Sequence, residues 1–189
     1  MATTTSTGLN LPGNRGLDNP TAFAQALGMT VLNRELDIDL PPEVVFEQLL
    51  DVAAWPRWMV GVQQAGSLDR APALGGKLFF VHVHNQRTPR VEVEITELRP
   101  NKSLAYRPCG GDEPYTEGMT DIEWEWRLFR RPLGGTRLRF TLTYEAAGGI
   151  PFFQELIGTR MQVLNTAESW LQALRSFGSG ETASEVAEA

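Results

Sequence analysis

The sequence predicts an α+β domain: a curved antiparallel sheet wrapped around one long C-terminal helix, with two short helices after the first strand. Two segments alternate without interruption, Ile122-Glu-Trp124-Glu-Trp126-Arg-Leu128 and Leu138-Arg-Phe140-Thr-Leu142-Thr-Tyr144. Such one-sided burial marks antiparallel strands with one wet face. Further strand-like segments are separated by Gly and Pro turn signals, and helical periodicity appears only after Pro41-Pro42 and after Gly148-Gly149.

Residues 1–29 read as a loose N-terminal arm rich in Thr, Gly, Asn and Pro. Within it Asp18-Asn19-Pro20 starts a short helix that runs through Ala26 and ends at Gly28. Thr30–Leu40 is the first strand, stopped by Pro41-Pro42. Pro42 suits a first helical position, where its missing N–H costs nothing, and Glu43 suits the positive end of the helix dipole. Val44, Val45, Phe46, Leu49 and Leu50 carry that helix to Asp51. Ala53–Val60, with Trp55-Pro56-Arg57-Trp58, forms a second short helix or bend. Strands follow at Val62–Leu68, Lys77–His84, Arg90–Leu98, Ser103–Arg107, Thr120–Phe129 and Thr136–Glu145. Pro151–Phe177 is the long helix, closed by Gly178. Residues 178–189 form an acidic tail with three Glu and no basic residue, so half of the net charge of −6 belongs to it. The folded unit spans 30–177.

A chain of 189 residues with 42% hydrophobic and 21% charged residues has the composition of one soluble globular domain. One Cys and two His are too few for a disulfide framework, a Cys-rich zinc module or a His cage. Net negative charge argues against nucleic acid as a partner. Met1 to Thr7 lacks the charged and apolar regions of a secretory signal, and no apolar run is long enough to cross a bilayer, so a cytoplasmic location is expected. The Gly pairs at 75–76, 110–111, 134–135 and 148–149 are turns, without the Lys-Ser/Thr or helix start of a phosphate loop. Nothing calls for a nucleotide, haem, flavin or other cofactor.

An ordered series of residues resembles the START-like superfamily, also called SRPBCC, in its polyketide cyclase/dehydrase-like branch. Its carriers are Ile38 to Pro42 with Val45-Phe46, then Asp51 followed by Trp55-Pro56-Arg57-Trp58. Gly76 before a strand, Ile95-Thr-Glu97-Leu98-Arg-Pro100 with Leu104, Gly135-Thr136 and Pro151 complete it. The resemblance covers about residues 30–177. It implies the helix-grip fold and a deep hydrophobic cavity for lipids, polyketides or other apolar molecules. It does not fix an activity, because the superfamily includes carriers, cyclases and regulators.

The residues expected to line or border such a cavity are Trp58, Phe79, Val81, Tyr106, Trp124, Trp126, Phe140, Tyr144, Phe153, Ile157, Met161 and Leu164, with Arg160 as polar anchor. Phe79 and Val81 enter through a hairpin register that pairs His84 with Arg90 and Val81 with Val93. That register makes the odd-numbered face of the hairpin wholly apolar. It also sends His82 and His84 outward beside Glu92 and Glu94, where a solvated face is favoured over a metal site. Arg160 projects near the centre of the long helix's apolar face. There a buried guanidinium needs an anionic or carbonyl partner, unless its stem lies on the core and its head reaches solvent. Tyr106 and Tyr144 each bring a hydroxyl to an apolar face, and with Arg160 they are the candidate catalytic groups. Core packing explains the Tyr and Trp residues equally well.

Cys109 is read as part of a flexible Pro108–Gly118 loop with no base in reach, so it is not a nucleophile. Asp121, Glu123 and Glu125 form a solvated acidic row. The leading expectation is binding of an apolar, ring-containing small molecule. The alternatives are a polyketide cyclase/aromatase or dehydratase acting in the same cavity, and a non-catalytic protein-interaction module whose aromatic face is merely core.

Overall fold

The structure, a computed structural model, describes residues 29–83, 87–112, 119–146 and 152–178, with only the backbone of 146, 152–160, 162 and 178. Strand β1 (Met29–Ile38) leads to helix α1 (Pro42–Leu50), a single 3₁₀ turn (Val52–Ala54) and helix α2 (Trp55–Trp58). Strands β2 (Val62–Ser67), β3 (Lys77–His82), β4 (Arg90–Arg99), β5 (Ser103–Gly111), β6 (Met119–Arg130) and β7 (Thr136–Ala146) precede helix α3 (Phe152–Gly178). The expected order of elements is the observed one. The N-terminal arm, its short helix and the acidic tail lie outside the described residues.

Seven antiparallel strands form one sheet in the order β1-β7-β6-β5-β4-β3-β2. The first strand closes against the last, from Met29 opposite Glu145 to Ile38 opposite Thr136. Register shifts in β2, β4 and β6 insert extra residues that bend the strands, which helps the sheet curl. Helix α3 packs along β1 and against α1 and α2. Its buried residues Leu164, Ala167, Trp170, Leu171 and Leu174 repeat at three and four, the spacing of one helical face.

Local chemistry fixes the junctions. Pro42 starts α1 as expected, and Pro41 O accepts from the N–H groups of Val44 and Val45. Near the other end of α1, the Leu49 carbonyl would lack a helical partner; buried Trp55 supplies one, its Nε1 donating at 3.0 Å. Fully buried Thr136 donates through Oγ1 to Leu40 O at 2.7 Å, tying β7 to the link between β1 and α1. Across the outer face, Arg137 meets Asp37 at 2.8 Å and Arg131 meets Asp39 at 2.9 Å. The Arg137 hydrogen bond holds the Asp37 carboxyl below its ordinary pKa, against a smaller opposing effect of desolvation.

The β3–β4 register differs from the one the sequence suggests. Val81 pairs with Arg90, Phe80 with Val91, Phe79 with Glu92 and Leu78 with Val93. The offset is an odd number of residues, so every side chain of β3 changes face. Leu78, Phe80 and His82 are buried, whereas Phe79 and Val81 are half-buried on the opposite face. The decisive contacts are non-local. Phe79 covers Gly66, where a Cβ would come within 2.8 Å of its ring, and the Arg90 guanidinium stacks on that ring at 4.3 Å. His82 lies over Gly61 in the same way, 2.7 Å from where a Cβ would stand.

A second difference concerns β5, which continues through Pro108 and Cys109 to Gly111 instead of ending at Arg107. A bulge at Glu92/Val93 admits Pro108, which lacks a donor, opposite Val93. Cys109 is therefore an exposed strand residue, and partial desolvation of its thiol is the main cause of a raised pKa. The remainder of the expected loop, residues 113–118, lies outside the described residues.

Candidate ligand-binding site

The inner face of the sheet gathers aromatic rings from four strands and two helices into one continuous chain. Phe80 of β3 meets Trp124 of β6 at 6.3 Å, Trp124 meets Tyr106 of β5 at 5.6 Å, and Tyr106 meets Trp55 at 5.8 Å. Trp55 touches Trp58 at 6.5 Å within α2, and Trp58 stands edge-to-face on Trp126 at 6.0 Å. Trp126 then contacts Phe140 of β7 at 4.6 Å, and Phe140 reaches Trp170 of α3 at 6.0 Å. These separations lie within the range of favourable aromatic pairs. Cross-strand pairing causes the arrangement: Trp124 stands opposite Tyr106 and Leu142, and Trp126 opposite Leu104 and Phe140.

Few polar atoms interrupt this wall. Trp126 Nε1 donates to Tyr106 Oη at 3.1 Å, with both residues buried. Trp170 Nε1 donates to Val60 O at 2.9 Å, anchoring α3 to the turn after α2. Tyr144 is fully buried on the same face, and His82 is 7% exposed at the end of β3.

Of the residues expected to line a cavity, Trp58, Tyr106, Trp124, Trp126, Phe140, Tyr144 and Leu164 are buried on the inner side. Phe79 and Val81 are corrected to the outer face by the register. Met161 is also corrected: it is 54% exposed, because it falls about 120° from the centre of the buried stripe of α3. His82 is corrected from the wet face to the interior. The shared metal face with Glu92 and Glu94 therefore does not form, since alternate residues of β4 put those carboxylates on the opposite side from Val91, Val93 and Ile95. Phe153, Ile157, Arg160 and His84 have side chains outside those described.

Sequence reasoning missed Trp55, Phe80, His82 and Trp170. Trp170 carried a usable signal, lying three residues after Ala167 and four before Leu174. Asp121 and Glu123 are exposed as expected, although Glu123 accepts a hydrogen bond from Thr96 Oγ1 at 2.9 Å.

A separate surface groove of about 690 Å³ runs between the start of α1, the β4–β5 turn and the end of β6. It shares no residue with the expected ligand set. Its arginines are engaged: Arg99 with Glu97, Arg127 with Glu125, and Arg130 with Glu43. A lining so charged suits an apolar ring system less well than the aromatic inner face.

The family model described as polyketide cyclase / dehydrase and lipid transport matches residues 29–175. The chain belongs to this family. Among curated proteins none matches its sequence. Solved structures share its helix-grip fold. The protein Ara h 8.0201 is 17% identical with a TM-score of 0.65, the match covering 81% of this chain and 99% of that one. The Zhui aromatase/cyclase from Streptomyces sp. R1128 is 14% identical with a TM-score of 0.64, covering 84% and 98%. A START superfamily protein from Mycobacterium smegmatis is 16% identical with a TM-score of 0.61, covering 79% and 97%. Among the described residues, no helix is long and apolar enough to cross a membrane.

Proposed function

We propose that the interior between the sheet and α3 receives an apolar, ring-containing small molecule of lipid or polyketide-like character. The observation that carries this reading is the unbroken chain of aromatic side chains from Phe80 to Trp170. It brings rings from both sheet and helices together on the inner side of the sheet. Membership of a family described by polyketide and lipid chemistry supports it. Trp58, Trp124, Trp126, Phe140 and Leu164 supply the apolar wall; Tyr106 and Tyr144 supply hydroxyls; Arg160 is the proposed polar anchor. Native mass spectrometry of protein purified from its own host tests the reading. Recovery of a stoichiometric apolar ligand supports it; a ligand-free protein that also fails to bind added polycyclic aromatics defeats it.

A second reading, cyclisation or dehydration of a poly-β-ketone, is favoured by the pairing of Trp126 with Tyr106. An N–H donated to a phenol oxygen stabilises the phenolate more than the phenol and makes Tyr106 a better proton donor. Turnover of a poly-β-ketone by wild type, with loss in Tyr106→Phe and Arg160→Ala, supports it. No cyclised product from wild type counts against it.

A further inference from the structure

Buried indole N–H groups nearly always find an acceptor, because leaving one desolvated and unpaired costs about 1–3 kcal/mol. Three tryptophans here follow that rule: Trp55 donates to Leu49 O, Trp126 to Tyr106 Oη and Trp170 to Val60 O. Trp58 does not. The residue is 1% exposed, yet its Nε1 has no hydrogen-bond partner among the described residues. Gln48, Ser67 and Arg90 also carry unpaired buried atoms, but those residues are only half-buried. The Trp58 ring is held by edge contacts with Trp55 and Trp126, in the middle of the aromatic chain.

We infer that Trp58 Nε1–H is the recognition donor for the ligand, and that it selects ring-containing molecules bearing an acceptor oxygen, such as a ketone, quinone or ether. An indole donates one hydrogen bond and accepts none. It therefore discriminates for an acceptor oxygen and against a ligand that offers only a donor or a hydrocarbon edge at that point. The neighbouring rings position the flat body, and the N–H fixes its orientation, the usual division of labour in small-molecule sites. This inference rests on the proposed binding of an apolar ligand in the interior.

The test compares two probes of nearly equal shape, 2-acetylnaphthalene, which carries a carbonyl, and 2-isopropenylnaphthalene, in which a methylene replaces that oxygen. Wild-type protein should bind the ketone about five- to tenfold more tightly than the hydrocarbon, after correction for their partition into octanol. Trp58→Phe, or β-(3-benzothienyl)alanine at position 58 should the smaller ring disturb folding, should bring the ketone-to-hydrocarbon affinity ratio close to one, whatever the change in absolute affinity. In ¹⁵N-labelled wild type, the Trp58 indole resonance should move downfield with the ketone only. Equal binding of the two probes by wild type, or an unchanged preference in the variant, overturns the inference while leaving the binding proposal in place. An indole already paired to a trapped water would give that result. Failure of wild type to bind either probe defeats both.

Discussion

Trp126 gives its indole proton to Tyr106, with Nε1 and Oη 3.1 Å apart and neither side chain more than 2% exposed. The pair links neighbouring strands β5 and β6 diagonally, since the residue directly opposite Trp126 is Leu104. Replacing Tyr106 by Phe leaves the ring contacts almost intact but strands a buried donor. Chemical denaturation should show a loss of about 1–3 kcal/mol for Tyr106→Phe. Trp126→Phe should cost less when Tyr106→Phe is already present than in wild type, because the stranded donor is then gone. Additive losses in the double mutant would show that the hydrogen bond contributes nothing.

The corrected β3 register makes a sharp pair of expectations. Phe80 is 3% exposed and touches Trp55 and Trp124, so Phe80→Ala should cost about 3–5 kcal/mol. Phe79 lies on the other face between Gly66 and the Arg90 guanidinium, so Phe79→Ala should cost about 1 kcal/mol. Urea unfolding of the two variants decides the matter. The register suggested by sequence demands the reverse order.

That reversal shows what a sequence can carry here. Trp124, Trp126, Phe140 and Tyr144 sit on strands with one apolar face, so alternation alone placed them inside. Strand β3 is apolar on both faces, Leu78 and Phe80 on one, Phe79 and Val81 on the other. Alternation cannot choose between them. The choice is made by Gly66 and Gly61 on the neighbouring strand and its turn, which leave room for Phe79 and His82. Trp55 and Trp170 escaped for a related reason. Their place in the wall depends on how helices dock on the sheet, and helical periodicity reports a face without naming its partner. Met161 shows the opposite error, a stripe drawn wider than the helix buries.

The paired charges on β1 and β7 give a pH dependence of known sign. Asp37 has a folded-state pKa below its ordinary value, first through its hydrogen bond from Arg137 and then through the charges of Arg137 and Arg131. The resulting stabilisation is present at neutral pH and fades as pH falls through the lowered folded-state value. Asp37→Asn should therefore lower the melting temperature slightly at neutral pH and converge with wild type at low pH, which flattens the acid limb of the profile. Added salt should shrink the difference, because the pair is exposed. An acid limb identical in the two proteins would exclude Asp37 as a contributor.

Gly61 and His82 form the tightest of these steric relationships, and their coupling can be measured. Gly61 has φ +88°, a conformation that costs an L-residue about 1–2 kcal/mol by itself. A Cβ there would also stand 2.7 Å from His82 Nε2, closer than real contacts allow. The turn cannot easily slide away, because Val83 N–H donates to Gly61 O at 2.8 Å and Trp170 holds Val60 from the other side. Gly61→Ala should accordingly destabilise by about 2–4 kcal/mol, more than the backbone conformation explains. Truncating the imidazole removes the clash but not the strain. His82→Ala should therefore cost less when combined with Gly61→Ala than in wild type, with a coupling of about 1 kcal/mol or more in a double-mutant cycle. Strict additivity would mean that His82 yields to the new methyl without loss, and that glycine is required at position 61 for its backbone alone.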